Sequence, residues 1–296
     1  MMKHYLIGIL ALGLVGCQSS TTGGQTGSQS QIKNAAGGCN PAIEDFQNWV
    51  TGGQECLALK VFRSKETFDA PPTPVIALHG DGASGSRADR APQTWIDQIQ
   101  DNILNQAAFK NSNTIIAVIA RLGYPIDGVG RSTGHRPEPD GRRATYRPEY
   151  IVPIFDGIKN LATQYQPQKI VAWGSSGGSA SLAIGAGIHS SIPISQLLLG
   201  VCPCDVPTWE HGHGWPISGA YSPLDYATKI PNETEVILVV GKRDRNTAPS
   251  LSETFLKARQ AAGGPARIVY TDGTHSGTRQ TAEHIAEQLK TITSNK

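Results

Sequence analysis

From residue 55 onward, short apolar runs rich in β-branched residues alternate with stretches whose apolar positions recur every three to four residues. The runs Leu57–Phe62, Pro74–Leu78, Thr114–Ala120, Lys169–Trp173, Gln196–Val201, Glu235–Val240 and Arg267–Thr271 predict strands. Several are continuously apolar, such as Thr-Ile-Ile-Ala-Val-Ile-Ala at 114–120 and Val-Ile-Leu-Val-Val at 236–240. A strand of that kind is covered on both faces, as parallel strands are. Between the runs, Pro92–Phe109 carries Trp95, Ile96, Ile99, Ile103 and Leu104 at helical spacing, and Pro148–Tyr165 carries Ile151, Ile154, Ile158 and Leu161. Pro249–Ala262 and Thr281–Ile292 show the same period. Strands alternating with helices predict an α/β domain with a mostly parallel sheet and helices on both faces. The pattern shows no repeat and no second core, so residues 39–296 read as one domain.

The pattern changes character before residue 39. Lys3 and His4 are followed by twelve apolar or small residues, Tyr5–Gly16, too short a run to span a bilayer and typical of a signal-peptide core. It ends in Leu14-Val15-Gly16-Cys17. Of the 21 residues from Gln18 to Gly38, 16 are Gly, Ser, Thr or Gln. Such a segment buries too little apolar area to order itself and acts as a flexible linker, with a reach of about 25 Å. The Leu-Val-Gly-Cys sequence resembles the lipobox of bacterial lipoproteins. That resemblance implies removal of residues 1–16 and lipidation of Cys17. It also implies a membrane anchor, with residues 17–38 as the tether. Gln18 follows the cysteine where an Asp would mark inner-membrane retention. The resemblance therefore implies a bacterial cell envelope location, at the outer membrane where there are two.

Composition narrows the partners. The 26 Lys and Arg nearly balance the 24 Asp and Glu, for a net charge of +2. That balance gives no reason to expect a nucleic-acid partner. The five cysteines are an odd number. With Cys17 as anchor, four remain to pair in an oxidising compartment. Cys39 and Cys56 are close together at the start of the domain, and their pairing is expected. Cys202 and Cys204 flank one proline, where a bridge is strained. They either stay reduced or form a labile bond, and cross-pairing with Cys39 or Cys56 stays open.

The chemistry centres on Gly174-Ser175-Ser176-Gly177-Gly178, directly after a predicted strand and before a helix of small residues. This is G-x-S-x-G, in which a strand turns straight into a helix and lifts the serine oxygen clear of the backbone. The flanking glycines permit the close approach that the turn needs. Ser175 and Ser179 lack that spacing. After strand 235–240 comes Asp244, ahead of a helix opened by Pro249. After the last strand comes His275. The chain order Ser176, Asp244, His275, together with Leu78-His79-Gly80-Asp81-Gly82 after an early strand, resembles the α/β-hydrolase-fold serine hydrolases.

That resemblance implies a Ser176–His275–Asp244 triad. It also implies an oxyanion hole from the backbone N–H groups of Asp81 and Gly177, with Gly80 the weaker substitute for Asp81. It implies no cofactor and no metal. The substrate is then a small carboxylic ester, or a short peptide if the domain works as those of the prolyl-oligopeptidase-like peptidases do. A non-catalytic lipoprotein on the same scaffold is the remaining alternative, against which an intact triad speaks.

Other residues compete for roles. Asp205, after strand 196–201, is a rival acid, while Asp272 is more suited to shaping the His275 loop. His79 fits beneath the oxyanion loop. His211 and His213 alone lack the further ligands a metal site needs. Trp209, Trp215 and Tyr221 are candidates for a substrate pocket or for ordinary packing. The arginines between Arg121 and Arg147 read as a solvated loop with acidic neighbours, the alternative being a site for a substrate carboxylate or phosphate.

Overall fold

In a computed structural model of the chain, the described residues are 46–82, 89–135, 146–215, 218–275 and Glu287. All fall in the unit Gly37–Lys296. The expected leader, Cys17, the linker to residue 38, Cys39 and the helix expected at Thr281–Ile292 lie outside the described residues, except for Glu287, which is helical. Cys56 is disulfide-bonded.

An eight-stranded sheet forms the centre. Its strands are β1 (Trp49–Gly52), β2 (Glu55–Arg63), β3 (Thr73–Leu78), β4 (Thr114–Ile119), β7 (Ile170–Ser175), β8 (Ile194–Gly200), β9 (Glu235–Gly241) and β10 (Ala266–Thr271). They lie side by side in the order β1-β2-β4-β3-β7-β8-β9-β10. From β4 through β10 every neighbouring pair is parallel, whereas β2 runs antiparallel to both β1 and β4. A small ribbon, β5 (Pro125–Ile126) with β6 (Gly130–Arg131), forms a separate two-stranded sheet.

The seven predicted strands are all present, each within two residues of its expected ends. The strand β1 was not legible. Its only fully buried large apolar side chain is Val50, too little for a period. It forms because Gly53, at φ +63°, turns a tight hairpin into β2. Gly52 then lies against the Pro153 carbonyl, too close for any Cβ.

The continuous apolar runs are explained by two cores. In β3, Ile76 and Leu78 belong to one cluster and Val75 and Ala77 to the other. The first cluster packs the sheet against α3 (Pro148–Tyr165), α4 (Gly177–Ile188) and α7 (Pro249–Ala261), through Ile154, Phe155, Leu182 and Phe255. The second packs it against α1 (Ala91–Ile99), where Trp95 meets Trp173 at 4.5 Å between ring centres.

Here the expectation of one helix over 92–109 needs correction. After α1 the chain widens into a π-type turn, Gln100–Leu104, and then forms the short helix α2 (Ala107–Lys110). The break falls at Gln106, which is extended at ψ 138°. Ile103 and Phe109 are both buried as a result. The connection after β8 holds two further short helices, α5 (Val206–Gly212) and α6 (Pro223–Tyr226). Among the described residues no helix is long and apolar enough to cross a membrane.

Candidate active site

The strand β7 ends at Ser175 and α4 begins at Gly177, so Ser176 alone makes the turn. Its backbone sits at φ 50°, ψ −121°, a conformation that costs a non-glycine residue on the order of 1–3 kcal/mol. The neighbours show why glycine is required around it. A Cβ on Gly174 would lie 2.5 Å from the Ser179 backbone nitrogen, and one on Gly178 would strike the Leu78 carbonyl. The elbow therefore wedges α4 against β3 and β7 at the C-terminal edge of the sheet.

The other two residues reach that edge from neighbouring strands. Asp244 lies three residues past β9, and His275 four residues past β10. Their loops are laced together. Arg243 N–H donates to Gly273 O at 3.0 Å, and Lys242 pairs with Asp272 at 3.0 Å. The result is a hydrogen-bonded line. His275 Nε2 is 3.1 Å from Ser176 Oγ, and His275 Nδ1 is 3.0 Å from Asp244 Oδ2. Nδ1 carries the proton in that arrangement, and Nε2 is left to accept from the serine.

Asp244 is buried and fully engaged. Its Oδ1 accepts from the N–H groups of Asn246 (2.8 Å) and Thr247 (2.9 Å), and its Oδ2 accepts from the Thr247 hydroxyl (2.7 Å). Burial alone would raise its pKa. The hydrogen bonds from His275 and Thr247 outweigh that, and the carboxyl stays below its ordinary value. Thr247 has no counterpart in the sequence reading. Its hydroxyl also lies 3.1 Å from His275 Nδ1 and 3.0 Å from the Val201 carbonyl. A threonine three residues after an acid, closing a turn on it, is the only signal that could have revealed it.

The loop after β3 brings Gly80 and Asp81 beside the serine. A Cβ on Gly80 would be 3.2 Å from Ser176 Cβ. His79 is buried as expected. Its pKa is lowered to about 3 by burial and by the nearby Arg121, so the ring is neutral. The Asp81 carboxylate is mostly buried. It is paired with Arg121 at 2.6 Å, and Arg121 is buried. Arg131 likewise pairs with Asp89. Buried Arg121 thus departs from the expected solvated loop, Arg131 and Arg147 are exposed in keeping with it, and Arg136, Arg142 and Arg143 lie outside the described residues.

The rivals fall into structural roles. Asp205 caps α5, accepting from Thr208 N–H at 3.3 Å and its hydroxyl at 2.7 Å. His213 stacks on Trp215 at 4.4 Å and meets Asn246 O at 2.9 Å, while Trp209 packs edge-on against both rings. That aromatic trio buttresses the Asp244 loop. Among the described residues no group of three ligating side chains could hold a metal. Cys202 and Cys204 are bridged to each other, with Cα atoms 5.0 Å apart. The question of cross-pairing is thereby closed for this pair.

No protein-family model matches the chain, and no curated protein matches it in sequence. Solved structures do match. An esterase from Pyrococcus furiosus is 16% identical with a TM-score of 0.59, over 83% of this chain and 89% of its own. Proline iminopeptidase from Mycobacterium smegmatis is 13% identical with a TM-score of 0.58, over 83% and 98%. Est1E from Butyrivibrio proteoclasticus, solved with ferulic acid bound, is 15% identical with a TM-score of 0.56, over 82% and 96%. With the sheet order and the elbow, these likenesses identify the architecture: the chain has the α/β-hydrolase fold.

Proposed function

We propose that this chain is a serine hydrolase that cleaves a small carboxylic ester through an acyl-enzyme, with Ser176 as nucleophile. The observation that carries the reading is the hydrogen-bonded series Ser176–His275–Asp244, with links of 3.1 and 3.0 Å on a strained elbow. His275 Nε2 takes the serine proton as Oγ attacks the carbonyl carbon. Asp244 holds the Nδ1 proton and stabilises the imidazolium that forms. The N–H groups of Asp81 and Gly177 stabilise the tetrahedral oxyanion, assisted by the N-terminus of α4. Collapse expels the alcohol, protonated by His275. A water activated by the same imidazole then releases the acid and regenerates Ser176.

An ester is favoured because two of the similar folds are an esterase and a protein solved with ferulic acid. Hydrolysis of short peptides is the second reading. It rests on the likeness to proline iminopeptidase along nearly the whole of that chain. The anchor completes the proposal: Cys17 is lipidated and ties the enzyme to the cell envelope, on the strength of the Leu-Val-Gly-Cys sequence and the linker behind it.

A fluorophosphonate probe tests the nucleophile. The intact protein is expected to be labelled, and Ser176→Ala to abolish labelling. Labelling that persists in Ser176→Ala overturns the assignment, and a parent that never labels favours a binding protein on this scaffold. His275→Ala and Asp244→Asn should each slow hydrolysis of a p-nitrophenyl ester by about 10³-fold or more. Asp205→Asn should leave it unchanged. Comparing the rates on p-nitrophenyl esters and aminoacyl p-nitroanilides separates the two substrate readings. Mass spectrometry of the mature protein should find a diacylglyceryl group on Cys17; an unmodified mature terminus elsewhere overturns the anchor.

A further inference from the structure

A buried ion pair beside the nucleophile has no part in the reaction scheme above. Arg121 Nη1 donates to Asp81 Oδ1 at 2.6 Å, and the two side chains are only 4% and 12% exposed. Tyr146, itself buried, donates its hydroxyl to Asp81 Oδ2 at 2.8 Å. Tyr124 donates its hydroxyl to the Asp81 carbonyl at 2.9 Å. His79 Nε2 accepts from the Arg121 backbone N–H at 3.1 Å, which leaves the proton on Nδ1 to be donated to Gly80 O at 2.7 Å. The Gly80 carbonyl and the Asp81 N–H are opposite ends of one peptide group. Fixing the oxygen aims the N–H.

The position of the carboxylate explains why it needs such company. The three atoms nearest to a Cβ built on Gly177 are all Asp81 carboxylate atoms, and the Cβ would collide with them. A negative charge thus abuts the residue whose N–H is the second oxyanion donor. Unpaired, it would repel the developing oxyanion across a short and poorly screened gap. Burial alone would favour a neutral guanidinium at Arg121. The Asp81 carboxylate, with Tyr124 and Tyr146, outweighs that and keeps Arg121 charged.

We propose that Arg121 and Tyr146 are positioning residues for the oxyanion hole: their side chains cancel the charge of the Asp81 carboxylate and fix the side chain of the residue whose N–H serves the oxyanion, while His79 holds the adjoining Gly80 carbonyl. The proposal rests on Ser176 forming the acyl-enzyme. Its contrast is a cross-link of the β3 and β4 loops that serves stability alone.

The test follows fluorophosphonate acylation, kcat and KM on the p-nitrophenyl ester that the parent hydrolyses, and inhibition by an arylboronic acid whose adduct with Ser176 places a hydroxyl in the oxyanion hole. Arg121→Gln leaves Asp81 charged and uncompensated. Its acylation rate, kcat and boronate affinity are expected to fall about 100-fold, the scale of one lost oxyanion donor, while KM stays within about threefold. Arg121→Lys, which keeps the cation, should retain at least about a tenth of the parent kcat. The double variant Asp81→Asn/Arg121→Gln removes both charges and should recover about tenfold over Arg121→Gln. Parental kcat in folded Arg121→Gln, or a double variant no better than Arg121→Gln, overturns the proposal. If Arg121→Gln does not fold, Tyr146→Phe decides. It removes one donor and no charge, and kcat and boronate affinity should fall about three- to tenfold with KM unmoved; an unchanged kcat overturns the proposal. A parent that is not acylated at Ser176 defeats the proposed function, which keeps that failure distinct from this one.

Discussion

Thr247 touches two members of the proposed triad, Asp244 and His275. Its hydroxyl faces Asp244 Oδ2, His275 Nδ1 and the Val201 carbonyl at 2.7, 3.1 and 3.0 Å. With one proton to give and two lone pairs to accept with, it can donate to the acid while sharing the imidazole proton. Thr247→Val keeps the shape and removes both functions. The expected result is a fall in kcat of about tenfold, the worth of one hydrogen bond to a charged group, with Thr247→Ser restoring most of it. A Val variant with parental kcat would reduce Thr247 to a packing role. At this scale the sequence exposes Ser176, Asp244 and His275 through order and spacing, because each sits at a fixed offset from a predicted strand. It conceals Thr247, Arg121 and Tyr146. Their partners are brought to them by the fold, and no spacing along the chain encodes a contact between positions 81, 121 and 146.

At the scale of elements, the elbow and the β8–β9 connection show how backbone limits decide local structure. Gly174 faces backbone atoms of the next helix, which cannot give way as a flexible side chain would. Gly174→Ala should therefore destabilise the domain by about 2 kcal/mol or more in urea unfolding and misplace the elbow, with loss of probe labelling. Arg259 holds the other connection. It is fully buried on α7, and its Nη atoms donate to the carbonyls of Ile230 (2.5 Å), Pro231 (2.6 Å) and Thr234 (3.2 Å) in the loop before β9. Arg259→Met fills the volume but leaves these carbonyls, and that of Ala227, without their donor. A loss of about 3 kcal/mol is expected by urea unfolding, while the rate of the proposed ester hydrolysis by the folded variant changes little. Helix α3 was legible to the residue, since a proline starts it and its isoleucines keep one face. The broken helix over 92–109 was not. Its apolar spacing suits one continuous helix, and only the burial of Ile103 and Phe109 in the second core selects the π-type turn.

Across the whole molecule, burial of His79 couples acidity to stability. In the unfolded chain this imidazole titrates near its ordinary value of 6.5, and in the fold only at about 3. Below pH 6.5 the unfolded chain therefore binds a proton that the native one refuses. The stability present at neutral pH is lost as the pH falls from about 6.5 toward 3, at up to about 1.4 kcal/mol per pH unit from this one group. His189, also lowered by burial, adds in the same direction. Urea midpoints measured at pH 7, 5.5 and 4.5 should fall steadily, and His79→Gln should flatten that slope. An unaltered slope in His79→Gln would mean that the ring titrates normally in the fold.

The sequence by itself determined what depends on neighbours along the chain. Period and composition set the strands and most helices, and the doubly covered sheet follows from runs that are apolar at every position. Glycine spacing marks the elbow, and the order of the three site residues marks their loops. The tertiary structure alone decided what depends on neighbours across the sheet: the strand order, the marginal strand β1, the bridging of Cys202 to Cys204 and the roles of Asp205 and His213. It also decided that Asp81 meets Arg121 and Tyr146 beside the elbow. The physical reason is one of range. Local conformation is governed by a few adjacent side chains, whereas a buried charge is tolerable only where the folded chain delivers its partner.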